Sequence, residues 1–133
     1  MEIGNDSHRY RVVDQWGTFP FDLKIGTTHA IVEDKKGRIF VHHTGPECVI
    51  ICDSEGRVLS RWGTDFHAGA HGMLLNEEQG TEFLYFAATS AGVVVKTTLD
   101  GTEVLRISTP PRPDIYDADH PFVPTETAVA SNG

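Results

Sequence analysis

The chain has little with which to hold a nucleic acid, a bilayer or a disulfide framework. Its 133 residues carry 19 Asp and Glu against 11 Lys and Arg, a formal charge of -8. A phosphate backbone needs clustered Lys and Arg, and no such cluster occurs. No stretch approaches the roughly 20 apolar residues required to span a membrane. The opening residues, Met1 to Arg9, lack the charged-then-apolar pattern of a secretory signal. That leaves cytoplasm as the default address, with a secreted or periplasmic one open if residues precede Met1. The two cysteines lie in Cys48-Val49-Ile50-Ile51-Cys52-Asp53, which reads as a strand. Four strand residues separate their Cα atoms by about 13 Å, beyond the roughly 7 Å limit for a disulfide. They are expected as free thiols on one sheet face, and no second Cys/His pair stands at zinc-site spacing. A Ser/His/Asp order, a phosphate-cradling glycine loop and a nucleophile elbow are also missing.

What is present is repetition. Trp16-Gly17-Thr18, followed by Thr28-His29-Ala30-Ile31-Val32, returns as Trp62-Gly63-Thr64, followed by Ala70-His71-Gly72-Met73-Leu74. A third return begins at Pro124-Thr125-Glu126-Thr127-Ala128-Val129. Short β-type runs punctuated by Gly, Asp and Asn dominate, and no segment sustains a helical period. The first unit reads as strands over 30–32, 38–43, 47–53 and 57–62, and the second as strands over 72–75, 83–88, 93–99 and 103–107. His29 to His71 is 42 residues, Gly56 to Gly101 is 45 and Trp16 to Trp62 is 46. Four strands in about 40–45 residues is the period of a propeller blade.

The expected fold class is therefore all-β, a partial β-propeller of four-stranded antiparallel blades. Residues 1–8 are expected as a disordered tail and 9–17 as a lone outer strand. Blades follow over 18–63 and 64–107, then a Pro- and Asp-rich insertion loop over 108–123 and the start of a next blade over 124–133. Closure takes four to eight blades, so the chain reads as a fragment, and exposed sheet edges and blade faces invite self-association.

In a propeller the first strand of each blade lines the central channel. His29 and His71 stand at the entries of two such strands, so their imidazoles are candidates to converge on a metal ion. Each could instead cap its strand through a backbone hydrogen bond. Glu126 occupies the equivalent place in the third unit, as another channel-facing residue able to act as ligand, base or strand cap. His42 and His43 sit late in the second strand, one on each sheet face, where the second unit has alanines; a solvated strand end and a local role are both open. His67 and His120 read as exposed. Asp34, Asp53 and Asp100 precede turn glycines, which explains them, and Trp16 and Trp62 read as packing between blades.

Gly-Arg-Ile-Phe-Val, then Val-Ile-Ile-Cys-Asp-Ser-Glu-Gly-Arg-Val-Leu-Ser-Arg-Trp-Gly, then Ala-His-Gly-Met-Leu-Leu, resembles the pattern of NHL-repeat six-bladed propellers over about residues 9–133. Within that superfamily the landmarks are most similar to the peptidyl-hydroxyglycine amidating lyases. The resemblance implies cleavage of a C-terminal hydroxyglycine to an amide and glyoxylate. It also implies, for the full-length parent, a central zinc held by histidines and a structural calcium. His71 matches the lyases' first zinc ligand, with His29 as a second metal candidate. His42 and His43 fall at the lyases' His-Arg-Gly substrate segment, with His43 in the arginine position, where an imidazole cannot replace a bidentate guanidinium. The resemblance further implies that the remaining ligands lie outside these 133 residues, so this chain alone is expected to be inactive. The architecture also hosts non-catalytic scaffolds that bind a protein or peptide, and calcium-dependent lactonases acting on small molecules.

Overall fold

The computed structural model describes residues 1–67 and 69–130. The chain is all-β, with one 3-10 turn (Thr89–Ala91) and no α-helix among the described residues. A hairpin of β1 (Glu2–Asn5) and β2 (His8–Arg11) comes first. The first four-stranded sheet is β3 (Thr28–Glu33), β4 (Ile39–His43), β5 (Val49–Cys52) and β6 (Val58–Trp62). The second is β7 (Ala70–Glu78), β8 (Thr81–Ala88), β9 (Val93–Thr97) and β10 (Glu103–Ile107). Each is an antiparallel meander in chain order, and each falls within one of the two repeat units.

The turns show why these residues make meanders. Asp34 and Asp53 open two turns of one design. The Asp Oδ1 accepts the amides two and four residues on, at 2.8–3.0 Å, and Oδ2 accepts the guanidinium of Arg38 or Arg57. Gly37 and Gly56 take the left-handed position that follows (φ +75° and +78°), where a side chain is disfavoured. Thr98 and Thr102 build a third copy between β9 and β10 with hydroxyls in place of the ion pair. Asp100 accepts from both Thr hydroxyls and so serves this turn differently. Burial opposes the ionisation of Asp34, but the Arg38 and Lys36 amides and the guanidinium prevail, and its carboxyl is held below the usual range.

The sheets pack face to face, with β3 beside β7. Phe40, Val49 and Ile51 of the first meet Met73, Leu84, Phe86, Val93 and Val95 of the second in one core. The far face of the first sheet, with Val41, Ile50 and Cys52, is covered by Leu23 from the preceding loop. The two thiols are free and buried, as expected, but they belong to opposite faces. Cys48 precedes the first paired residue of β5, where His43 N bonds its carbonyl, so the strand's alternation does not govern it. Burial pushes its thiol up to about 12.

A recurrent clasp joins each Trp to a turn. The Trp16 indole donates to the Ser54 carbonyl (3.3 Å) and lies against Gly56, while Trp62 covers Gly101 so closely that a Cβ there would come within 2.7 Å of the indole. Each Trp thus covers the last turn of a four-stranded unit, a packing role.

Three expectations about the ends are corrected. Residues 2–5 form a strand rather than a disordered tail, because Gly4 (φ +109°) and Asp6 (φ +42°) allow a tight hairpin onto His8–Arg11. The lone outer strand over 9–17 is strand only to Arg11; beyond it, Thr18 bridges Arg57 in parallel at the edge of the first sheet. Residues 124–130 form no strand. Pro124 has no N–H to donate, and a single backbone bond, Gly72 N to the Thr125 carbonyl, ties the segment to β7. Residues 131–133 of the expected third unit lie outside the described residues. The 108–123 segment is turns, with Tyr116 and Phe122 in edge contact at 5.4 Å. Large apolar side chains remain exposed on β3 (Ile31) and β10 (Val104, Leu105, Ile107).

Candidate histidine site between the sheets

Both β3 and β7 carry a bulge at their first residues. In β3 the register slips between Thr28 and Ala30, and in β7 between Ala70 and Met73. His29 and His71 are the residues caught in these slips, where a bulge re-aims a side chain out of the ladder's alternation. Because β3 lies beside β7, the two imidazoles meet with centroids 4.8 Å apart and planes 30° from parallel. His29 is exposed and His71 half-buried.

Hydrogen bonds fix the His71 tautomer. Its Nδ1 lies 2.7 Å from the Thr125 carbonyl oxygen, which can only accept, so Nδ1 carries a proton and, in the neutral ring, Nε2 keeps the lone pair. The same carbonyl also accepts the Gly72 amide at 2.9 Å. His42 repeats the arrangement one layer deeper. Its Nδ1 donates to the His71 carbonyl at 3.0 Å, its ring meets Phe86 edge-on at 5.1 Å, and its Nε2 is buried without a partner. Burial, opposed by the bond to the His71 carbonyl and reinforced by the other histidines, brings its pKa to about 4. A neutral imidazole with Nδ1–H on a carbonyl and Nε2 bare is the form in which histidine ligates a metal.

The other candidates fare differently. His43 is fully buried on the opposite face, where its Nδ1 accepts the amides of Gly45 (2.9 Å) and Gly26 (3.2 Å). It therefore pins two loops together and does not face a substrate, contrary to the expectation for that position. Burial lowers its pKa, and nearby Glu47 opposes the shift without a hydrogen bond to Nε2. His42 is equally buried, so of the two readings open for the pair the solvated strand end is excluded: the second sheet covers one face and the Lys24–Gly26 loop the other. Glu126 is exposed, with its carboxylate against Gly72, next to His71, where a Cβ would collide with it. Its Oε1 also accepts the Thr127 amide (3.1 Å), a local contact only, because the strand it was expected to cap does not form over 124–130. His67 and His120 are exposed, with ring nitrogens on the Thr64 carbonyl and Asp117.

Comparison with family models, curated proteins and solved structures finds no match.

The site is thus defined by its own geometry. His29 and His71 come together at the sheet junction, with Glu126 beside them and His42 beneath. No group of three His, Cys, Asp or Glu side chains able to share one ion occurs among the described residues. Two imidazoles leave the rest of a tetrahedral shell to water or to further protein groups. Sequence spacing found His29, His71 and Glu126. It could not find the Thr125 and His71 carbonyls that orient the rings, because backbone acceptors leave no signature in residue type.

Proposed function

We propose that the two sheets are successive blades of an NHL-type β-propeller and that His29 and His71 are zinc ligands at its channel end. In this reading the assembled propeller, completed by further blades, is an amidating-lyase-like enzyme. The observation that carries the metal reading is the His29–His71 pair. Two equivalent bulges in successive units bring the rings together, and the Thr125 carbonyl holds His71 with Nε2 free. The paired meanders and the recurring Trp–Gly clasp support the propeller reading. Zinc, when bound, acts as a Lewis acid toward a substrate oxygen, here the hydroxyl of a C-terminal hydroxyglycine. His71, His29 and Glu126 of this chain would hold the ion or border it.

Equilibrium dialysis of the full chain against zinc chloride tests this. The expected result is about one zinc per chain for the native sequence, with affinity weakened at least roughly tenfold in His71→Ala and in His29→Ala. Native protein that takes up no zinc, or binding that both substitutions leave unchanged, removes the pair from any ligand role.

One observation favours a second reading, a non-catalytic scaffold that binds a protein or peptide at the channel end. Both residues aligned with the lyases' substrate segment, His42 and His43, are fully buried, and no guanidinium stands there. A zinc-free native protein would leave this reading in place. The calcium-dependent lactonase reading requires several carboxylate or amide ligands at the channel end, where Glu126 stands as one, and is not carried further.

A further inference from the structure

We infer that His42 is a positioning residue, holding the β7 bulge in the shape that presents His71 Nε2 to a metal ion; this rests on the zinc reading above. The bulge takes residues 71 and 72 out of register with β8, since Ala70 pairs Ala88 and the next partner of Phe86 is Met73. The His71 carbonyl receives a side-chain donor from the neighbouring sheet instead, the His42 Nδ1 at 3.0 Å. The same residue thus has its carbonyl held by His42 and its ring held by the Thr125 carbonyl. With both ends fixed, the ring is left little freedom.

Packing alone does not account for an imidazole here. His42 has no exposed surface, and its Nε2 is stranded. A leucine would fill the space against Phe86 and bury no ring nitrogen, at the cost of leaving the His71 carbonyl without its His42 donor, and the second sheet has alanine, Ala87, at the corresponding place by repeat. What only a donor at the Nδ1 position supplies is the bond to the bulge carbonyl. Outer hydrogen-bond partners of metal ligands commonly contribute ten- to a hundredfold in affinity.

The test separates the two ring nitrogens. Asparagine places its amide donor near the histidine Nδ1 position and glutamine near Nε2. In the full chain, zinc affinity measured by calorimetric titration with zinc chloride should stay within about threefold of native in His42→Asn and fall by about tenfold or more in His42→Gln and His42→Leu. Thermal unfolding without zinc should rank the variants differently, with His42→Leu at least as stable as His42→Gln. Equal zinc affinity in His42→Asn and His42→Gln overturns the inference, as does native affinity in His42→Leu. Should His42→Leu not fold, the Asn and Gln pair decides alone. A native chain that binds no zinc ends the metal reading and this inference with it. A native chain that binds zinc regardless of residue 42 ends this inference only.

Discussion

Acidification from pH 7 to pH 4.5 is the perturbation that isolates His42. In the folded chain its pKa is about 4, while an unfolded histidine titrates near 6.5. The folded value is depressed, so the unfolded state binds the proton first and stability falls as pH drops below about 6.5, levelling off below the folded pKa. Between pH 7 and pH 4.5 the difference amounts to roughly 2.5 kcal/mol. His43, also lowered by burial, adds in the same direction. The carboxylates of Asp34 and Asp53, held below their usual range, contribute mainly at lower pH and equally in all variants. Urea unfolding followed by tryptophan fluorescence reads the effect. With a slope of about 2 kcal/mol per molar urea, His42 accounts for roughly 1 M of the shift in midpoint. His42→Leu should therefore lose about 2.5 kcal/mol less than native over the same pH interval. Parallel pH dependence in the two proteins would refute the burial of a neutral His42 between the sheets.

Two further outcomes test the fold. Phe86→Ala, at the centre of the contact between the sheets, should cost about 3–5 kcal/mol in equilibrium unfolding; a loss below about 1 kcal/mol would mean that the two sheets do not share a core. Gly101→Ala should be more damaging than Gly80→Ala by about 1–2 kcal/mol. Both glycines have positive φ, but an added methyl at Gly101 meets Trp62 while Gly80 faces open space, and equal costs would argue against the Trp clasp.

Much of the sheet architecture was legible because strand pattern and turn chemistry agree. Asp-x-x-Gly-Arg marks two turns by residue type alone, and Glu103–Ile107 forms the strand its pattern predicts. The strand expected over 72–75 runs on to Glu78, although Glu77 and Glu78 look like loop residues by type. Both lie in the strand, where Glu78 is paired with Lys96 and Tyr85. Alternation put His42 and His43 on opposite faces, but it could not say that both faces are covered, since the covering groups come from another sheet and a distant loop. Cys48 misled for the opposite reason: it sits one residue before the ladder begins, where alternation has no hold. The site divides the same way. Repeat spacing exposes the histidines, whereas their orientation depends on carbonyls brought in by tertiary packing.

The most direct test of the histidine site is a long-range proton–nitrogen correlation spectrum of the imidazole rings near pH 7.5, recorded without and with zinc chloride. His42 and His71 should be protonated on Nδ1 and His43 on Nε2, and zinc should shift Nε2 of His71 and a ring nitrogen of His29. A His71 ring carrying its proton on Nε2, or rings of His29 and His71 unmoved by zinc, would contradict this site.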